Sequence, residues 1–171
     1  MGNLITIGLS KIEIGDKAVD EGMGTTLATV GYTAEGSCTI ETTDPEIQEF
    51  FAEEVDTAIH TSAKGGTTTV TFQLASPDLD QCAAVFGGTV TGTGTAKTWE
   101  YPDAVTGLEK SIKITPKEGI VFKIPRGKMV PKFTGQFGRA DTLKIEVSIS
   151  VLQPLKSGVK PMLLSLVAGE S

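Results

Sequence analysis

Leu143-Lys144-Ile145-Glu146-Val147-Ser148-Ile149-Ser150-Val151 alternates apolar and polar residues without a fault. Successive side chains of an extended strand point to opposite faces, so this stretch predicts a strand with one buried and one wet face. The same period runs through Thr67 to Leu74, with Val70, Phe72 and Leu74 on one side and Thr69, Thr71 and Gln73 on the other. Shorter versions follow in Ser111 to Thr115, through Ile112 and Ile114, and in Ile120 to Ile124, through Ile120, Phe122 and Ile124. Between those two, Pro116-Lys117-Glu118-Gly119 sets Pro early and Gly late, which suits a tight reversal and makes the pair a hairpin. Met129 to Phe137 adds a further strand, whose start at Pro131 belongs at an edge or outside the ladder, because proline has no N–H to give it.

One segment reads as helix. Ser76-Pro77-Asp78 offers an N-cap, a proline at the first helical position and an acid in the first turn. Leu79, Cys82, Ala83 and Phe86 then form one apolar stripe, and Gly87-Gly88 ends it. The stripe should pack on the sheet, with Leu79, Cys82 and Phe86 as anchors. Asp44 to His60 also carries a local helix pattern, from the start at Asp44-Pro45-Glu46 to the spacing of Ile47, Phe50, Phe51 and Val55. Gly15 to Gly36 and Thr89 to Thr98 are rich in Gly and Thr and read as long loops or extended arms, as do residues 155–171 at the C-terminal end.

The 171 residues suit one domain with a single substantial core. The 39% apolar and 21% charged content is globular, and 20 glycines with abundant threonine tilt it towards strands and turns. Net charge is −6, with no basic stripe or Arg cluster to neutralise phosphates, which argues against a nucleic-acid binder. The sequence has no run of about 18 apolar residues. It opens without the basic, apolar, small-residue order of a signal peptide, so we expect a soluble chain made in a cytoplasm, with no membrane partner. Cys38 and Cys82 fit neither a disulfide framework nor a zinc site and read as reduced, buried small hydrophobes.

No constellation supports an enzyme, a cofactor or a metal. His60 is the only histidine, and neither Cys38 nor any serine stands in a nucleophile context beside it. A phosphate loop needs Gly before its Lys, where this chain has Ala96 before Lys97, and Gly92-Thr93-Gly94 lacks the third glycine of a dinucleotide fingerprint. The acids Glu53, Glu54 and Asp56 read as a solvated face. Trp99 and Tyr101 share one side of a short strand and read as core or interface packing, with stacking on a sugar as the alternative.

Taken in order, these features resemble the major tail tube proteins of long-tailed bacteriophages. The resemblance rests on Lys11-Ile12-Glu13-Ile14-Gly15, on Gly31 to Ser37, on the Thr-rich strand and short helix from Thr67 to Gly88, and on Lys110 to Gly119. It covers most of the chain through loose motifs, none of them a chemical signature. It implies a mainly β fold, a β-sandwich or small barrel with one short helix at about residues 77–86. Six copies would close a ring and rings would stack into the virion tail, a conduit for DNA that binds none of it specifically. The partners so implied are other copies of the chain, a tape measure protein and a tail terminator. The family also implies that Asp44 to His60 is extended, against its local helix pattern.

The alternating strands place Thr39, Glu41, Thr69, Thr71, Gln73, Glu146 and Ser148 away from the core, and we expect these small or acidic residues to line the tube. Val19, Met23, Leu27, Val30, Met162, Leu163 and Leu166 are apolar residues without a core period, and we expect them to join successive rings from segments that are mobile in the free subunit. Two other classes compete: a tube protein of a contractile injection or type VI-like secretion system, and a β-sandwich carbohydrate-binding or adhesion module using Trp99 and Tyr101.

Overall fold

The computed structural model describes residues 4–167. Among them the fold is mainly β with a single short α-helix, as the alternating stretches predict. In chain order the strands are β1 (Ile7–Gly15), β2 (Ala28–Thr29), β3 (Thr39–Thr42), β4 (Glu46–Ala52), β5 (Val55–Lys64) and β6 (Thr68–Ala75), then helix α1 (Leu79–Phe86). After it come β7 (Thr89–Thr91), β8 (Thr98–Glu100), β9 (Leu108–Glu118), β10 (Ile120–Thr134), β11 (Lys144–Val151) and β12 (Leu163–Leu166).

The main sheet has the order β2-β1-β9-β10-β11-β6-β3, with β12 added beside β10, and every pairing in it is antiparallel. Backbone that leaves β2 closes it at one end. Val30 N–H donates to the Ile12 carbonyl at 3.0 Å, while Ala34 N–H donates to the Gln73 carbonyl at 2.8 Å. One segment thus spans the gap between β1 and β6, curling the sheet towards a small barrel that is closed at this end only. Away from that bridge the seam stays open, a cleft of about 600 Å³ lined by Leu9, Cys38 and Ile40 among others.

The core is the inward half of each alternation: Ile12 and Ile14, Val70, Phe72 and Leu74, Ile112 and Ile124, and Ile145, Val147 and Ile149. The hairpin predicted around Pro116–Gly119 is present but longer, since β9 continues through Pro116 and the chain reverses at Gly119, whose φ of 105° suits glycine. Pro131 stands inside β10 opposite Val147. The pairing with β9 ends at Met129, so beyond it β10 has a partner on one side only, the edge position that a strand proline requires.

The helix forms where predicted, with a different start. Its N-cap is Asp78 and not Ser76: Gln81 N–H donates to the Asp78 carboxylate at 2.8 Å, and Asp78 N–H donates to the Gln81 side chain at 3.1 Å. That reciprocal pair satisfies two donors which would otherwise be orphaned. Cys82, Val85 and Phe86 face the core, whereas Leu79 is 36% exposed and stands outside the core cluster. Thr89 to Thr98 is a small hairpin, β7 against β8, and not a long loop.

Asp44 to His60 is not helical. It forms β4 and most of β5, extended as the tail-tube resemblance implies. The local pattern lost to a longer-range one: Thr42 faces Thr68 and Glu46 faces Lys64, four residues on along each strand, so the register of β3 and β6 runs on into β4 and β5. They are two halves of one ribbon, interrupted at Pro45, and Val55, Thr57, Ile59 and Thr61 favour its extended form.

Candidate functional site

The distal half of that ribbon stands apart from the barrel. The β4–β5 pair makes no ladder with any other strand of the described residues. It is clamped at its base, where Thr43 N–H donates to the Thr67 carbonyl at 3.0 Å and Thr67 N–H donates to the Thr43 hydroxyl at 2.9 Å. Beyond the clamp it has only itself. Ile47, Phe51, Val55 and Ile59 are exposed, Phe51 at 59%, and Phe50 packs against His60 with ring centroids 5.8 Å apart. Two strands alone bury too little to be stable in water. The ribbon thus turns five large apolar side chains to solvent, Phe50 among them at 49% exposed, a larger apolar patch than scattered surface residues make.

The seven residues expected to line a tube share one surface. Thr39 faces Thr71 and Glu41 faces Thr69, while across β6 Thr71 faces Ser148 and Gln73 faces Glu146. All point away from the core across β3, β6 and β11. The surface is not uniformly acidic, because β10 adds Val130 opposite Ser148 and Lys132 opposite Glu146. Lys132 pairs with Glu146 at 2.7 Å and, with the Gln73 amide, holds that carboxyl below its ordinary range.

The residues expected to join rings divide. Val30 is 3% exposed and belongs to the core beneath the bridge between β1 and β6, so it is not available to a neighbour. Met162 packs against the core and Met23 and Leu27 are half-buried, whereas Val19 is fully exposed and Leu163 and Leu166 are exposed on β12. Residues 168–171 of the expected C-terminal arm lie outside the described residues.

The 15–36 segment is also more firmly tied than an arm awaiting a partner. Glu109 takes hydrogen bonds from Arg126 and Lys17, each at 2.9 Å, and Lys17 reaches Glu21 at 2.7 Å. Gly24 N–H donates to the Ser111 hydroxyl at 2.9 Å, which in turn donates to the Pro125 carbonyl at 2.7 Å, both buried. Asp16 pairs with Lys110 and Asp20 with Lys156. The sequence offered no period here because these ties are polar and come from residues some ninety positions away.

Trp99 and Tyr101 do not form a flat platform. The Trp99 indole N–H donates to the Gly87 carbonyl at 2.9 Å, and its ring meets Tyr101 at 70°. With Phe86 and Phe133 they make an aromatic cluster that seats the helix, Phe86 and Phe133 stacking at 4.7 Å.

One feature escaped the sequence. Lys11, Lys113, Lys117 and Lys123 converge on a groove of about 740 Å³ along β1, β9, β10 and β12. Lysines at alternating positions on three strands are far apart in sequence and neighbours in the sheet. The barrel therefore has a basic stripe that composition hides.

Burial raises the pKa of both cysteine thiols, and they form no disulfide. Among the described residues there is no cluster of three or more metal-ligating side chains, and no helix is long and apolar enough to cross a membrane. Comparison with models of known protein families finds no match, nor does comparison with curated proteins.

Proposed function

We propose that this chain is a structural subunit that assembles with copies of itself into rings, six-membered by its resemblance to tail tube proteins, stacked into a tube that conducts DNA. The observation that supports it is the detached β4–β5 ribbon with its exposed Ile47, Phe51, Val55 and Ile59. In a monomer this ribbon is an unstable, aggregation-prone edge; between subunits it is contact surface. Such an extension suits a chain that polymerises, which needs a complementary pair of surfaces. In this reading the tube-facing surface is that of Thr39, Glu41, Thr69, Thr71, Gln73, Glu146 and Ser148, and the place of work is a virion tail, capped and measured by a tail terminator and a tape measure protein.

Negative-stain microscopy of the purified chain at high concentration tests the reading. Rings or tubes are the expected result. A chain that stays monomeric at every concentration and salt condition overturns it, and glycan binding by those monomers would replace it with the carbohydrate-binding module. Neighbouring genes for phage tail or for secretion components separate the two kinds of tube.

A further inference from the structure

The charges of this protein are segregated. Asp44, Glu46, Glu49, Glu53, Glu54 and Asp56 lie on or beside the projecting ribbon, with Lys64 its only lysine or arginine. None of the six carboxylates is in an ion pair among the described residues. On the barrel, the groove along β9 and β10 gathers Lys11, Lys113, Lys117 and Lys123, with Glu118 the one carboxylate that the described residues bring to its lining. Glu13 at its margin engages Lys11 at 3.3 Å and Lys113 at 3.9 Å, but Lys117 and Lys123 have no such partner among the described residues. Beneath these lysines the Thr115 hydroxyl is buried without a hydrogen-bond partner among the described residues. The far wall of the groove is β12, whose outer edge is unpaired among the described residues and carries the exposed Leu166.

We infer that the acidic, apolar β4–β5 ribbon of one copy docks in the lysine groove of a second copy. The inference rests on the self-assembly reading and names the two surfaces that carry it. The chain's own ribbon does not fill its own groove, for no residue of β4 or β5 lines it. The ribbon leaves the barrel from β3 and β6, whereas the groove lies on β1, β9 and β10, beyond β11 in the strand order. At about 3.3 Å per residue the ribbon reaches roughly 33 Å past its clamp, enough to span onto a neighbour. Carboxylates then meet lysines, and Ile47 or Phe51 meets the apolar edge at Leu166. A contact of this kind uses a different surface on each partner, so every added copy leaves one ribbon and one groove free, and growth ends where a ring closes or continues as an open stack. Its charges stand at the surface, so salt weakens it.

The test is a charge exchange in the full chain. Lys117→Glu/Lys123→Glu reverses the groove, and Glu49→Lys/Glu53→Lys reverses the ribbon. All four positions are outside the core, and circular dichroism and melting curves check that each variant folds. At low salt each double variant should raise the assembly threshold about tenfold or more, read by sedimentation velocity, because like charges now face each other. The quadruple variant, and an equimolar mixture of the two doubles, should regain assembly. Wild-type chain that assembles while both doubles assemble equally well overturns the inference and leaves the self-assembly reading standing; wild-type chain that never assembles overturns that reading first. Loss in both doubles without recovery in the quadruple also overturns the pairing. So does a groove that binds a short DNA duplex while its reversal leaves assembly at the wild-type level.

Discussion

The carboxylate of Glu109 receives both ends of the Arg126 guanidinium, each at 2.9 Å, and tethers Lys17 at the same time. Hydrogen bonds from Arg126 first and Lys17 second hold its pKa down to about 2, from an ordinary 4.5. A depressed carboxyl stabilises the fold above its unfolded pKa and loses that contribution as pH falls towards the folded one. Glu109→Gln should therefore cost about 1 kcal/mol near neutral pH, a modest value because the site is partly exposed. The gap between wild type and variant should close between pH 4.5 and about 2. Urea unfolding over that range measures it, and a gap independent of pH would remove this network as the tie between the 15–24 loop and β9.

Phe86 and Leu79 belong to the same sequence stripe but face different surroundings. Phe86 is 4% exposed and contacts Trp99, Tyr101 and Phe133. Phe86→Ala should cost about 3–5 kcal/mol and shift the fluorescence of Trp99. Leu79→Ala, at the exposed start of the helix, should stay below about 1 kcal/mol. Equal losses in urea unfolding would mean that the helix presents another face.

Much of the barrel was legible because period-2 alternation is a local signal of a two-faced sheet. Val70, Phe72 and Leu74 and Ile145, Val147 and Ile149 are buried as their alternation predicts. The ribbon was misread locally since nothing within Asp44 to His60 records that Thr42 faces Thr68, and that register decides the segment. Val30 looked like a spare apolar residue because the segment it opens bridges β1 and β6, strands that are neighbours of it in space and not in sequence. The lysine groove was invisible for the same reason: its members alternate on strands that only the fold brings side by side.

Gly127 stands where the core leaves no room for a side chain. A Cβ there would come within 2.5 Å of Ile112 Cδ1 and 2.7 Å of Ile149 Cγ2, at the place where the register between β9 and β10 shifts. Its φ is not positive, so the constraint is space and not backbone freedom. Gly127→Ala should destabilise by about 1–3 kcal/mol, as overpacking does. Ile112→Val in the same chain should recover part of that loss, and thermal melts of the single and double variants provide the comparison.

The surface of β3, β6 and β11 is expected to face passing DNA. Glu41→Lys/Glu146→Lys should leave assembly intact, since both side chains lie outside the core, and should give tubes that retain DNA at low salt in a filter-binding assay. At position 146 the change also removes the partner of Lys132 and sets a second ammonium beside it, so the added charge is unpaired and free to contact phosphate. Variant tubes with no more DNA than wild type would place the conduit on another surface.

The ribbon can be removed where the protein already divides it. Thr43 and Thr67 exchange hydrogen bonds at the clamp, and the register of β3 with β6 holds on the barrel side of it. Replacing residues 44–66 by Asn-Gly joins two strands already in hairpin register through a turn whose twist suits them. None of the buried core residues lies in the excised segment, so the melting temperature should move by only a few degrees, the change expected of about 1 kcal/mol. Assembly should be lost at every concentration, because the exposed Ile47, Phe51, Val55 and Ile59 go with the segment. Sedimentation and melting together make the outcome decisive. A shortened chain that folds and still forms rings or tubes would show the ribbon to be dispensable, and one that fails to fold would show that the barrel depends on it.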